Sequence, residues 1–169
     1  MQFRTIGHGL LIALATASAG DAQAQTPVFS FKGGFDAIVD CERPLNLQRL
    51  PITATVTGAI NSDKSGTADL NLVAILPSTV HFDGRLGRTT SAPGGTSARM
   101  QIIGHNRLRL TWDLPNNLLV VDVAIGKGSC TASLSTQLKR GQREYSLYNG
   151  HAFFYCGKPQ VTRTSCQIS

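Results

Sequence analysis

Three histidines lie beyond residue 24 of this 169-residue chain: His81, His105 and His151. His81 stands two residues before Asp83, and alternate side chains of an extended strand share a face. The two could begin a metal site or act as a histidine–carboxylate pair. No third ligand stands at motif spacing, and Asp83-Gly84 is also a turn dipeptide, so a strand histidine beside a turn is the simpler account. His105 falls in an expected tight turn, and His151 precedes the aromatic run Phe153-Phe154-Tyr155. Asp83, Asp113 and Asp122 are carboxylates that could meet in space for glycoside hydrolysis, but that chemistry needs a separation which spacing along the chain does not supply. There is no Gly-x-Ser-x-Gly elbow and no solitary cysteine nucleophile. Gly126-Lys127-Gly128-Ser129 lacks the spacing and the following helix of a phosphate loop and reads as a turn. The residues thus name no catalytic group, no metal ligand and no cofactor.

Positive charge is the more distinctive feature. Over residues 25–97 basic and acidic side chains balance at six each, whereas residues 98–169 hold nine basic and three acidic. All of the formal net charge of +6 therefore lies in the second half. The candidate anion-binding surface comprises Arg99, Arg107 and Arg109 on neighbouring strands, and Lys139, Arg140 and Arg143 around one turn. Tyr145, Tyr148 and Tyr155 are near in sequence. Lipid head groups, acidic polysaccharide or an acidic protein surface would be drawn to such a face. Nucleic acid is not expected as the partner of an exported chain. The competing account is an ordinary solvated face with local ion pairs, such as Arg109 with Asp122.

Export is itself an expectation. Residues 1–24 read as a secretory signal: Arg4 supplies the positive start, an apolar small-residue stretch follows, and Ala22-Gln23-Ala24 is a cleavage motif. The stretch is shorter than the roughly 20 apolar residues that cross a bilayer. No later run is long enough for a membrane helix, and no cysteine follows the motif to take a lipid. The mature chain is expected to begin at Gln25, to be secreted or periplasmic, and to form one domain over residues 25–169. In an oxidising compartment Cys41, Cys130, Cys156 and Cys166 imply two disulfides. Three connectivities are open. Pairing in order of synthesis, Cys41–Cys130 with Cys156–Cys166, is favoured; its long loop is worth up to about 4 kcal/mol in loop-closure entropy. A four-cysteine zinc site would want close C-x2-C pairs, and there are none.

The elements that must position these groups are strands. Ile52, Ala54, Val56 and Ile60 alternate with threonines, Ala68, Leu70, Leu72, Ala74 and Leu76 recur at every second position, and so do Leu108, Leu110, Trp112 and Leu114. A period of two marks half-buried strands. Strands are expected near 28–40, 52–60, 66–76, 79–84, 97–103, 107–114, 118–125, 129–138, 143–148, 151–156 and 160–168. Turn-rich clusters separate them, among them residues 61–66 and 139–142, and two longer connections cover 42–51 and 87–96. Charged residues at 15% and 17 glycines disfavour a coiled coil or a charged disordered chain. The expected fold is all-β with about 8–11 strands: an antiparallel meander closed into a barrel or, as the alternative, a two-sheet sandwich.

Register can be argued in the middle of the chain, because residues facing one another across a strand pair lie on one side of the sheet. Gly104-His105-Asn106 is an odd-numbered turn, so Ile102 opposes Leu108, Met100 opposes Leu110 and Ala98 opposes Trp112. A two-residue turn at Asn116-Asn117 would then set Val121 opposite Trp112 and Val123 opposite Leu110. Asp122 lands on the outer face beside Thr111 and diagonal to Arg109. Leu118 and Val120 land there too, and Phe153-Phe154-Tyr155 loads both sides of its strand. Some outer surface must therefore be covered by the 42–51 loop, a second sheet or another molecule.

These features lead to one main expectation: an exported, non-catalytic β-domain that binds an anionic surface or a small apolar ligand. The alternatives are a small secreted hydrolase using scattered carboxylates and His81, and a secreted protein inhibitor or assembly component.

Overall fold

Alternating side chains bury one face of each long strand, and the two apolar faces produced in this way lie against each other. The computed structural model describes residues 27–41, 49–103 and 106–168. The expected signal segment, most of the 42–51 loop, Gly104 and His105 lie outside the described residues.

The described residues begin with four strands in meander: β1 (Pro27–Val39), β2 (Leu50–Asn61), β3 (Gly66–Val73) and β4 (Pro77–Asp83). A short 3-10 turn, Arg85–Gly87, carries it across to a second meander. That meander comprises β5 (Thr89–Ala92), β6 (Thr96–Ile103), β7 (Arg107–Asp113), β8 (Asn117–Ile125) and β9 (Cys130–Leu138). A separate hairpin, β10 (Tyr145–Tyr148) with β11 (Phe153–Cys156), follows, and β12 (Gln160–Ile168) returns to the first sheet. The sheets run β12-β1-β2-β3-β4 and β5-β6-β7-β8-β9, both antiparallel.

The architecture is the sandwich, and the barrel does not close. Closure would need ladders between β4 and β5 and between β9 and β12, and neither pair is hydrogen-bonded as strands. At the first seam the Thr90 hydroxyl donates to the His81 carbonyl (2.7 Å) in place of a ladder. At the second, β12 pairs with β1 along one edge and leaves its other edge beside β9 without a ladder. Among the described residues all eleven expected strands are present, and a twelfth, β5, lies inside the 87–96 connection. Its sequence, Thr89-Thr90-Ser91-Ala92, has no apolar alternation to announce it, because it is an edge strand with half of its positions exposed.

The core joins Val56, Leu70, Leu72, Val80 and Phe82 of one sheet to Met100, Leu108, Leu110, Trp112 and Val121 of the other. Trp112 lies opposite Ala98 as expected, and its Nε1 donates to Thr96 Oγ1 (2.7 Å). The β10–β11 hairpin caps one end of this core with Leu147, Tyr148 and Phe154. Ser146 holds it there: Asn116 N donates to Ser146 Oγ (2.9 Å) and Ser146 N to Asn117 Oδ1 (2.7 Å).

Between β6 and β7 the expected register is the one observed. Between β7 and β8 it is corrected by two residues: Leu119 opposes Trp112, Val121 opposes Leu110 and Val123 opposes Leu108. The two-residue turn is Pro115-Asn116, closed by Leu114 N donating to Asn117 O (2.9 Å). Proline's fixed φ of about −65° suits the first turn position, so no left-handed asparagine is needed. A slip of two preserves the faces. Val120 is accordingly buried on the outer side and lies outside the main core.

The disulfides also correct the expectation. Cys41 pairs with Cys156 and Cys130 with Cys166, at Cα separations of 4.3 and 5.5 Å. The return of β12 beside β1 brings Cys166 next to the start of β9. The hairpin lies against the end of β1, where Gly157 N donates to Asp40 O (2.8 Å). Neither neighbourhood follows the order of synthesis.

Candidate anion-binding groove

Arg99, a candidate from the sequence, lines an open groove of about 620 Å3 together with two cations that the sequence did not single out, Lys64 and Arg85. Three separate segments build it: the β2–β3 turn with Asp63, Lys64 and Ser65, the link from β4 to β5 with Gly84, Arg85 and Gly87, and β6 with Arg99 and Gln101.

The β2–β3 turn is heavily bonded. Asn61 N donates to Ser65 O (2.8 Å) and Lys64 N to Asn61 O (3.1 Å). The Asp63 carboxylate accepts from Ser65 N (2.9 Å) and Ser65 Oγ (2.6 Å). Lys64 is held at φ +63°, the one positive φ among the described non-glycine residues. A left-handed backbone is where glycine or asparagine is the ordinary choice.

The link is tied to this turn by Gly84 N donating to Gly66 O (2.8 Å). Asp83 Oδ1 accepts from Arg85 N (2.9 Å) and starts the 3-10 turn. Gly87 closes it at φ +63°, and a methyl group there would stand 3.3 Å from Arg99 Nη2. The Arg99 side chain therefore reaches across the link, and Gly87 leaves it room.

The other candidates divide. Arg107, Arg109 and Arg99 share the outer face as expected, opposite Ile103, Gln101 and Thr111 in turn. Arg109 is directly opposite Asp122, not diagonal to it, and grips both carboxylate oxygens, Nε to Oδ1 at 2.8 Å and Nη2 to Oδ2 at 3.0 Å. The hydrogen bond and then the charge of Asp122 raise its pKa against a small desolvation effect, so it stays ionised at every working pH. Lys139 is paired with Asp113 (2.6 Å). Lys139, Arg140 and Arg143 lie at the Asp113 end of β7, roughly 20 Å along the strand from Arg107 at about 3.3 Å per residue. Tyr148 is no surface neighbour: it is buried between Trp112 and Phe153, with ring centroids 6.3 and 5.1 Å away.

The remaining chemistry is also redistributed. His81 Nδ1 lies 2.7 Å from Asp69 Oδ1 on the opposing strand, and not with Asp83. Asp83, Asp113 and Asp122 are each engaged by a different basic residue or backbone amide, so they do not form one carboxylate pair. Among the described residues no three His, Cys, Asp or Glu side chains converge as for a metal ion. The apolar gap between the sheets at Leu119, Leu134, Leu147 and Val161 is about 20 Å3, close to the room one water needs and far below a ligand pocket. Both disulfides fit an oxidising compartment, and among the described residues no helix is long and apolar enough to cross a membrane.

Comparison with family models, with curated proteins and with solved structures finds no match. The groove therefore has to be interpreted from its own residues. Lys64 and Arg85 carried one usable signal, a cation inside each turn flanking β3–β4. Their meeting with Arg99, however, depends on how the two sheets stack.

Proposed function

We propose that this chain is an exported, non-catalytic binding domain whose partner is anionic. The observation that carries the reading is the meeting of Lys64, Arg85 and Arg99 around one open groove, beside the outer strip that holds Arg107. Three cations against the single carboxylate of Asp63 leave the groove net positive, and a concave wall of net positive charge draws in counter-charged ligands. The filled apolar interior supports a surface partner over a small apolar ligand. Two of the six sequence candidates, Arg109 and Lys139, are partly neutralised by their aspartates and contribute less.

The test is retention on immobilised heparin and on anionic lipid at low and moderate salt. Arg99→Glu with Arg107→Glu should elute at clearly lower salt than the parent, while Arg140→Glu with Arg143→Glu should shift less. Unchanged retention of the first variant, with its thermal melt intact, would sink the reading.

One observation favours a second reading, an assembly component. Val73, Ile75 and Leu76 at the β3–β4 turn are 37–42% exposed, a cluster of apolar side chains at one tip of the sandwich.

A further inference from the structure

We infer that the groove takes an acidic polysaccharide, a chain of sugars bearing carboxylate or sulfate groups. The inference rests on the anion-binding reading above and narrows it to one ligand class.

Lys64, Arg85 and Arg99 are all exposed and come from three different segments of the chain. An exposed charge pair contributes about 0–1 kcal/mol, so one isolated anion would gain little there. A ligand that repeats its charge along its length can engage all three at once. Of the neutral lining, Gln101 offers an exposed amide that both donates and accepts, and Gly87 is half-buried, which suits a hydroxylated chain. The volume of about 620 Å3 falls in the range of small-ligand sites, although this one is open and is lined by charged side chains beside Ile102.

The same lining argues against the other polyanions. An extended acidic peptide is usually held by a free sheet edge or by apolar pockets. β6 has both of its edges paired, and the free edges of β4 and β5 lie against each other, where the Thr90 hydroxyl donates to the His81 carbonyl. Single-stranded nucleic acid wants aromatic platforms, and no aromatic side chain lines this groove. A flat bilayer would meet the rims of a concave site and leave its floor empty.

Lys64 adds an independent indication. Its φ of +63° is conformationally costly for a residue with a Cβ, and glycine would hold the same turn without that cost. At this position the lysine supplies an ammonium group that glycine would not.

The experiment is calorimetric titration at several salt concentrations with heparin oligosaccharides and oligogalacturonate, alongside phosphatidylglycerol vesicles and poly-glutamate. Tight binding to a saccharide, weakened in Lys64→Gly and in Arg85→Gln with Arg99→Gln, is the expected result. The log–log salt slope should fall by about one per cation removed, by the counterion-release logic of polyanions. Lys64→Gly should melt no lower than the parent, which separates a binding role from a structural one. Preference for vesicles or poly-glutamate would overturn the polysaccharide while leaving the anion-binding reading intact. An equal loss in the control Arg140→Gln with Arg143→Gln would overturn the groove as the site. No binding of the parent to any of the four probes would overturn both.

Discussion

The two flanks of the sandwich are built differently. On one, the chain itself passes from β4 to β5, and the sheets are held by packing. Met100 is fully buried there, its Sδ and Cε 3.1 and 3.0 Å from where side chains on Gly84 and Gly66 would begin. On the other, β9 and β12 are separated in sequence by the β10–β11 hairpin and lie side by side without a ladder. There the Cys130–Cys166 bond joins the sheets at one end, and a narrow apolar gap opens toward the other. The small residues Gly33 and Ala132 allow the approach beside the bond, since a Cβ on Gly33 would lie 3.3 Å from that of Ala132. Where chain connectivity keeps two edges together, apolar contact suffices. Where it does not, a cross-link lowers the entropy of the unfolded chain and so favours the closed arrangement. The basic groove is on the first flank, on the outside of the link that Met100 supports.

Three changes would test that contrast. Met100→Ala is expected to cost about 2–5 kcal/mol in urea unfolding, as for other large buried side chains. It should also weaken anion binding, because Gly84 and the β2–β3 turn lose their support. A cost below about 1 kcal/mol would show that the crossover flank is not held by this packing. Replacing Cys130 and Cys166 together by Ala is expected to cost about 2–4 kcal/mol, most of it through the unfolded state. Anion binding by the folded fraction should be unchanged, since the groove lies on the opposite flank; a parallel loss of binding would mean that the flanks are coupled. Lys64→Gly should have the smallest effect, a change of less than about 1 kcal/mol and toward greater stability as the left-handed strain is relieved. A clear loss of stability would mean that the lysine side chain serves the turn and not a ligand.

Much of the second sheet was legible because a period of two leaves little freedom. Once Met100 and Ile102 must share a side with Leu108 and Leu110, only an odd turn fits, and the β6–β7 register follows. The β7–β8 turn falls one residue earlier than Asn116-Asn117 because Pro115 sets it through its own φ. The shift changes no faces, since a slip of two keeps every side chain on its side. It did move Asp122 from diagonal to directly opposite Arg109, and that difference makes the bidentate pair.

By itself the sequence determined that the chain is all-β, which residues of the long strands face inward, where most turns fall, and that the second half carries the excess charge. These are properties of neighbours along the chain, set by side-chain alternation and by the backbone preferences of turn residues. Tertiary structure alone decided the sandwich over the barrel, the partners of the four cysteines, the pairing of His81 with Asp69, and the meeting of Arg99 with Lys64 and Arg85. Each of these depends on which edge a returning strand chooses and how two faces stack. That choice is made by the summed burial of the whole core, which no local pattern encodes.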